Sequence, residues 1–134
     1  MNQATPGSIM VIGNDAHFCY LIQSYIRESS CQALITSLLD DALTLACREQ
    51  PAAIVMEIDH PGNLGWYLLR QLKAESLTNC IPVVLCSWLD EQKRGLEEGA
   101  AACLRMPILY KDFASVLTEI GLGASEQKND QTVA

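Results

Sequence analysis

The sequence predicts an α/β fold in which a parallel sheet is covered by helices on both faces. Short continuous apolar runs are typical of strands that are buried on both sides. Apolar residues recur at helical spacing between those runs, and the two patterns alternate along the chain. With 134 residues, of which 49% are hydrophobic, the chain can bury one core without disulfides or metals. We therefore expect a single domain.

Five apolar runs are predicted to be strands, at 8–12, 32–37, 52–57, 82–86 and 101–104. A helix is predicted after each strand: at about 18–29, before Pro51, from Gly65, at 90–98 and up to Gly121. Consecutive parallel strands joined by helices require right-handed crossovers. The alternation predicts a flavodoxin-like, three-layer α/β/α sandwich with a five-stranded parallel sheet in (βα)5 order.

Ligands of such sheets bind at the carboxyl ends of the strands. The residues that follow the predicted strands are therefore the candidates for a functional site, at 13–15, 57–59, 87–88 and 105–107. We expect the domain to span 8–123, after a flexible lead at 1–7 and before a disordered polar tail at 124–134.

Composition excludes several classes of function. The net charge is −7 and only nine residues are Lys or Arg, which argues against direct binding of nucleic acid. The six cysteines form no Cys-x-x-Cys pair, so we expect reduced thiols and no zinc. No apolar run is long enough to span a membrane, and we expect a cytoplasmic protein. Asp15 and His17 form a D-x-H pattern, but Tyr20 stands where a cobalamin-binding loop has glycine, and we expect no cofactor.

Two segments of the chain resemble one known family. In 51–70, an apolar strand ends in the acidic residue Glu57, and Pro61 and Gly62 begin four residues later. In 95–107, a G-x-x-x-G-A pattern precedes an apolar strand and Pro107. Both segments resemble the response-regulator receiver domain of two-component signalling, and the resemblance covers about 8–121.

The resemblance implies a phosphoaccepting aspartate, an acidic pair that binds Mg²⁺ at the end of strand one, and a lysine that pairs with the phosphoryl group. Glu57 stands at the acceptor position, Gly13 and Asn14 at the acidic pair, and Met106 at the lysine, while Asp15 lies one place later. Mg²⁺ prefers anionic oxygen ligands, and phosphoryl transfer requires positioning and charge compensation. We therefore expect a degenerate, pseudo-receiver form without a metal site.

Other family positions have kept or lost their residue type. Ser87 stands at the hydroxyl position of strand four, and Pro107 stands where the family commonly has a cis peptide bond. Cys103 stands at the position of the aromatic switch residue on strand five and is too small for that role.

The sequence is compatible with two roles for Glu57 and with two placements of Trp88. Glu57 either imitates a phosphorylated aspartate, with its charge reaching towards Ser87, or is a hydrogen-bonded or solvated carboxylate in an inert site. Trp88 either is exposed on the partner-binding face or folds over the altered site.

The predicted function is that of a phosphorylation-independent protein-interaction module in signal transduction, not an enzyme. Its candidate interface lies on the face of helix four, strand five and helix five, for a protein partner or a second copy of the chain, and includes Trp88, Leu109, Tyr110 and Lys111. The alternative is a phosphoacceptor switch that uses an atypical carboxylate, namely Glu57, Asp59 or Asp15. The chain could also be a receiver cut from a larger protein.

Overall fold

A computed structural model describes residues 7–37 and 41–123 of the chain. The predicted tail at 124–134, and all of the predicted lead except Gly7, lie outside the described residues. The sheet has five parallel strands in the order β2-β1-β3-β4-β5. This order, with a helix after each strand, confirms the predicted flavodoxin-like fold.

The strands lie close to their predicted positions: β1 Ser8–Ile12, β2 Gln32–Thr36, β3 Ala53–Glu57, β4 Val83–Ser87 and β5 Ala102–Arg105. β4 begins one residue later than predicted, because Pro82 has no N–H to donate and contributes only its carbonyl, which accepts from the Ile54 amide at 2.9 Å.

The helices are α1 Ala16–Ile26, α2 Ala42–Glu49, α3 Leu64–Ala74, α4 Gln92–Glu97 and α5 Tyr110–Glu119, and a short 3₁₀ turn at Pro61–Asn63 precedes α3. The prediction of a helix at 90–98 was too long at its start. Asp90 lies before the helix, where its carboxylate accepts from the Gln92 amide at 3.4 Å. Short acidic side chains commonly accept such bonds just before a helix, and they favour the start of the helix after them.

The side chains of the sheet alternate between two cores, as the pleat of a strand requires. In β1, Ile9 and Val11 pack with α1 and α5, whereas Met10 and Ile12 pack with α2 and α3. All five residues of β3 are buried. This central strand is paired on both edges and covered on both faces, so its carboxyl end opens directly into the crevice between the loops.

Gly65, in the first turn of α3, sets how closely that helix approaches the end of β3. A Cβ atom at this position would lie 2.5 Å from the carbonyl oxygen of Ile58 and 3.0 Å from its Cα. Since the opposing atoms belong to the backbone, they cannot move aside without displacing the residues between Ile58 and the helix.

We predict that Gly65→Ala destabilises the protein by about 1–3 kcal/mol, the usual range for overpacking, although alanine is the better helix former. The measurement is urea unfolding. Thr44→Ala, at an exposed position of α2, serves as the control and should change stability by less than about 0.5 kcal/mol. A Gly65→Ala variant as stable as the native chain would contradict this account of the close approach.

Candidate functional site

The strand register brings the candidate residues together at one edge of the sheet. Glu57 pairs with Cys86, and Ser87 pairs with Arg105. The loop that follows β1 lies on the other side of β3, because β1 and β3 are neighbours. The carboxyl edge therefore gathers three loops around the end of β3.

Glu57 is buried, with 7% of its surface exposed. Its Oε1 atom accepts from the backbone N–H groups of Asn14 at 3.3 Å and Asp15 at 3.5 Å. A Cβ atom at Gly13 would lie 3.1 Å from that oxygen and 2.9 Å from the Phe18 ring. The longer acid at position 57 thus fits beside a residue without a side chain at position 13.

Burial raises the pKa of Glu57 above its ordinary value, because a buried carboxylate loses its hydration. The backbone N–H groups of Asp15 and Asn14 oppose this effect, and the charge of Asp15 adds to it. A carboxylate held against two backbone N–H groups has part of its acceptor capacity already used. Its geometry suits a structural role at the start of α1.

Asp15 does not face the crevice as a free ligand. It precedes α1 as the N-cap residue, and its Oδ1 atom accepts from the His17 amide at 2.9 Å. Such a bond satisfies one of the unpaired N–H groups at the helix start.

The donor set does not fit a divalent cation. Mg²⁺ in proteins is held by carboxylate oxygens with near-octahedral geometry. Here the Glu57 carboxylate is engaged by backbone N–H groups, the Asp15 carboxylate caps a helix, and Asn14 is neutral. Within 7–37 and 41–123, no group of three or more His, Cys, Asp or Glu side chains is placed to bind a metal.

Asp59 links the ends of two neighbouring strands. Its Oδ1 atom accepts from the Ser87 hydroxyl and its Oδ2 atom from the Trp88 amide, each at 2.7 Å. The Ser87 oxygen accepts in turn from the Leu89 amide at 2.9 Å. Sequence reasoning weighed Asp59 only as an alternative phosphoacceptor and missed this link. Its position two residues beyond a central strand was the available signal.

At the end of β5, position 106 carries an uncharged side chain. Met106 is half-buried and packs against the core formed with α1 and α5. The Arg105 side chain donates from Nε to the carbonyl oxygen of Trp88 at 3.3 Å. The peptide bond between Met106 and Pro107 is cis.

Cys103 lies under the start of α4. Its Sγ atom is 3.6 Å from the carbonyl oxygen of Glu91. Burial raises the pKa of Cys103, and of the fully buried Cys86, above the ordinary thiol value. Both thiols are therefore disfavoured as thiolates, which opposes a redox-sensing role at neutral pH.

The predicted interface residues lie on the surface. The exposed fractions are 57% for Trp88, 52% for Leu109 and 43% for Tyr110, and Lys111 is also exposed. Trp88 also lines an open groove of about 450 Å³ with Asp59 and Trp66. Trp88 as a residue is nonetheless more than half exposed, so it is not folded closely over the site. None of the helices among the described residues could cross a membrane.

We predict that the stability gained by Glu57→Gln, relative to the native chain, grows as the pH rises from about 4 to about 7. A raised native pKa means that the folded chain favours protonated Glu57. The stability linked to that proton is present below the ordinary value of 4.5 and is lost as the pH rises through the native pKa. Urea unfolding of both proteins across this range measures it. A difference that stays flat or shrinks would contradict the raised pKa.

Comparisons with known proteins agree with this geometry. No protein-family model matches the sequence. The chain is 27% identical over 116 residues to Protein PilH of Pseudomonas aeruginosa, covering 81% of this chain and 96% of PilH. It is 40% identical over 70 residues to Response regulator PleD of Caulobacter vibrioides, but this match covers 50% of this chain and spans only 15% of PleD.

Solved structures share the fold. The chemotaxis protein CheY4 of Vibrio cholerae superposes with a TM-score of 0.76 at 12% identity, covering 87% of this chain and 99% of that one. The receiver domain of a sensor histidine kinase from Pseudomonas aeruginosa, described with a magnesium ion in its active-site cleft, gives a TM-score of 0.74 at 17% identity over 87% and 99% of the two chains. The chain is therefore similar in sequence to PilH and to the response regulator PleD, and it shares its fold with receiver domains.

Proposed function

We propose that this chain is a response-regulator receiver domain of two-component signalling in a degenerate, pseudo-receiver form, which acts as a phosphorylation-independent protein-interaction module and not as an enzyme. The observation that carries the proposal is the engagement of Glu57. Its carboxylate is buried and accepts from the backbone of the loop whose side chains would otherwise bind Mg²⁺. The side chain at the phosphoacceptor position is thereby hydrogen-bonded to the backbone of the loop at the metal-binding position.

The pairing of Glu57 with Gly13 supports this view. A side chain at position 13 would meet both the Glu57 carboxylate and the Phe18 ring. An acidic residue there would also place a second negative charge beside a carboxylate that burial already disfavours. The glutamate at position 57 and the glycine in place of an acid at position 13 are therefore structurally linked.

Charge compensation at the crevice is the second support. Phosphoryl transfer needs cations that neutralise the developing charge. Met106 supplies none, and Arg105 is directed to the carbonyl of Trp88. The hydrogen bonds argue against Glu57 as an imitation of a phosphorylated aspartate, because Glu57 bonds to the backbone of Asn14 and Asp15 while the Ser87 hydroxyl bonds to Asp59.

The partner-binding surface that we propose includes Trp88, Leu109, Tyr110 and Lys111. Tyr110 is held in place, because its ring packs edge-on against Tyr25 with 5.4 Å between the ring centroids. The Tyr25 hydroxyl donates to the Ile108 carbonyl at 2.8 Å. Exposed aromatic side chains on a fixed backbone are frequent anchors of protein interfaces.

A phosphoacceptor switch at an atypical carboxylate is the second candidate. Asp59 is the carboxylate that favours it, since it is half-buried at the crevice beside the Ser87 hydroxyl. Both of its oxygens already accept hydrogen bonds, which places Asp59 second.

We predict that the amide NMR spectrum of the native chain shows no saturable shifts at the crevice with Mg²⁺ followed by beryllofluoride, which mimics a phosphoryl group. A triple variant, Asn14→Asp, Glu57→Asp and Met106→Lys, restores the oxygen ligands and the cation and should respond to both. Glu57→Asp alone is the matched control and should not respond. Saturable shifts in the native chain that spread to α4 would contradict the proposal.

We also predict that Trp88→Ala and Tyr110→Ala each weaken binding of protein partners by about 2 kcal/mol, as expected for aromatic anchors. Partners recovered with the native chain are compared quantitatively with both variants, with and without acetyl phosphate. Tyr67→Ala, at a tyrosine of α3 that is 60% exposed away from the proposed surface, is the control. Binding that survives both variants, or that depends on acetyl phosphate, would contradict the proposal.

A further inference from the structure

The backbone at Trp88 is held from both sides, by one side chain from the loop after β3 and by another from the end of β5. On the N–H side, Asp59 accepts from the amide at 2.7 Å. On the carbonyl side, Arg105 donates to the oxygen at 3.3 Å. Trp88 nonetheless remains 57% exposed as a residue, and Leu89 beside it is 61% exposed. The loop thus has a fixed backbone beneath a solvent-exposed apolar pair.

The hydrogen bond from the Trp88 amide to Asp59 is shorter than the one from Arg105 to the Trp88 carbonyl. Each carboxylate oxygen accepts one bond at 2.7 Å, one from a hydroxyl and one from an amide. Ser87 is only 3% exposed, so water has little access to its side. Its oxygen also accepts from the Leu89 amide at 2.9 Å, which extends the chain of bonds to a third residue. Hydrogen bonds that involve a charged acceptor are shorter and stronger than neutral ones.

We propose that Asp59 is a conformational clamp, a built-in anion that ties the end of β3 to the end of β4 and fixes the Trp88–Leu89 backbone in one conformation. The clamp occupies the Ser87 hydroxyl and the Trp88 amide, so these two donors are not free to bind an external anion. The loop is therefore held without metal or phosphoryl ligand, and its apolar side chains stay presented outward.

This clamp deepens the proposed function, because Trp88 belongs to the proposed partner surface. The hydrogen bonds themselves do not depend on that function. A test of the clamp therefore needs neither a partner nor a phosphodonor. Failure of the clamp would leave the pseudo-receiver proposal standing, and failure of that proposal would leave the clamp standing.

The experiment is amide hydrogen exchange, resolved by residue, at Trp88 and Leu89. In the native chain we expect both amides to exchange slowly despite their exposed side chains. Asp59→Gly removes the carboxylate and should speed exchange at Trp88 by about tenfold or more, as the loss of a charged hydrogen bond implies. Ser87→Ala should speed exchange at Leu89. The amide of Val55 in β3, which should remain protected, separates loop opening from global unfolding.

Chemical rescue makes the test specific for the carboxylate. Sodium formate, compared with sodium chloride at equal ionic strength, should restore slow exchange at Trp88 in Asp59→Gly, because formate can supply the two missing acceptor oxygens. Glu57→Gln is the matched control and should leave Trp88 unchanged. Fast exchange at Trp88 in the native chain, or unchanged protection in Asp59→Gly, would overturn the clamp. Loss of protection that formate does not restore would also overturn it as an anion-held contact.

Discussion

The central strand β3 is the element on which the rest of the structure depends. Its five residues are buried, and it is hydrogen-bonded to β1 on one side and to β4 on the other. Burying such a strand stabilises the sheet through apolar contacts on both faces. It also means that the polar residues after it must find hydrogen-bond partners at the carboxyl edge, since buried polar groups without partners are costly.

The two carboxylates after β3 meet that requirement in opposite directions. Glu57 accepts from the loop after β1, and Asp59 accepts from the loop after β4. The crevice is thereby connected by the chain's own anions. These hydrogen bonds tie the loops after β1 and β4 to the carboxyl end of β3.

Much of the fold and the place of the site could be predicted from the sequence. The buried strands have continuous apolar runs, and a parallel sheet brings their ends together, so the edge at 13–15, 57–59, 87–88 and 105–107 followed from pattern alone. The directions in which the acidic side chains point could not be predicted from the pattern. Glu57 turns to the β1 loop because Gly13 leaves room there, and this depends on a packing distance between residues far apart in the chain. The link from Asp59 to Ser87 likewise spans 28 positions.

The most direct test of this account is the intact mass of the native chain after incubation with Mg²⁺ and an excess of acetyl phosphate. We expect an unchanged mass, because Glu57 is engaged by backbone N–H groups, Asp59 is bonded to Ser87 and Trp88, and position 106 carries an uncharged methionine. Stoichiometric gain of one phosphoryl group, located by peptide mapping to Glu57, Asp59 or Asp15, would contradict it and establish a phosphoacceptor switch.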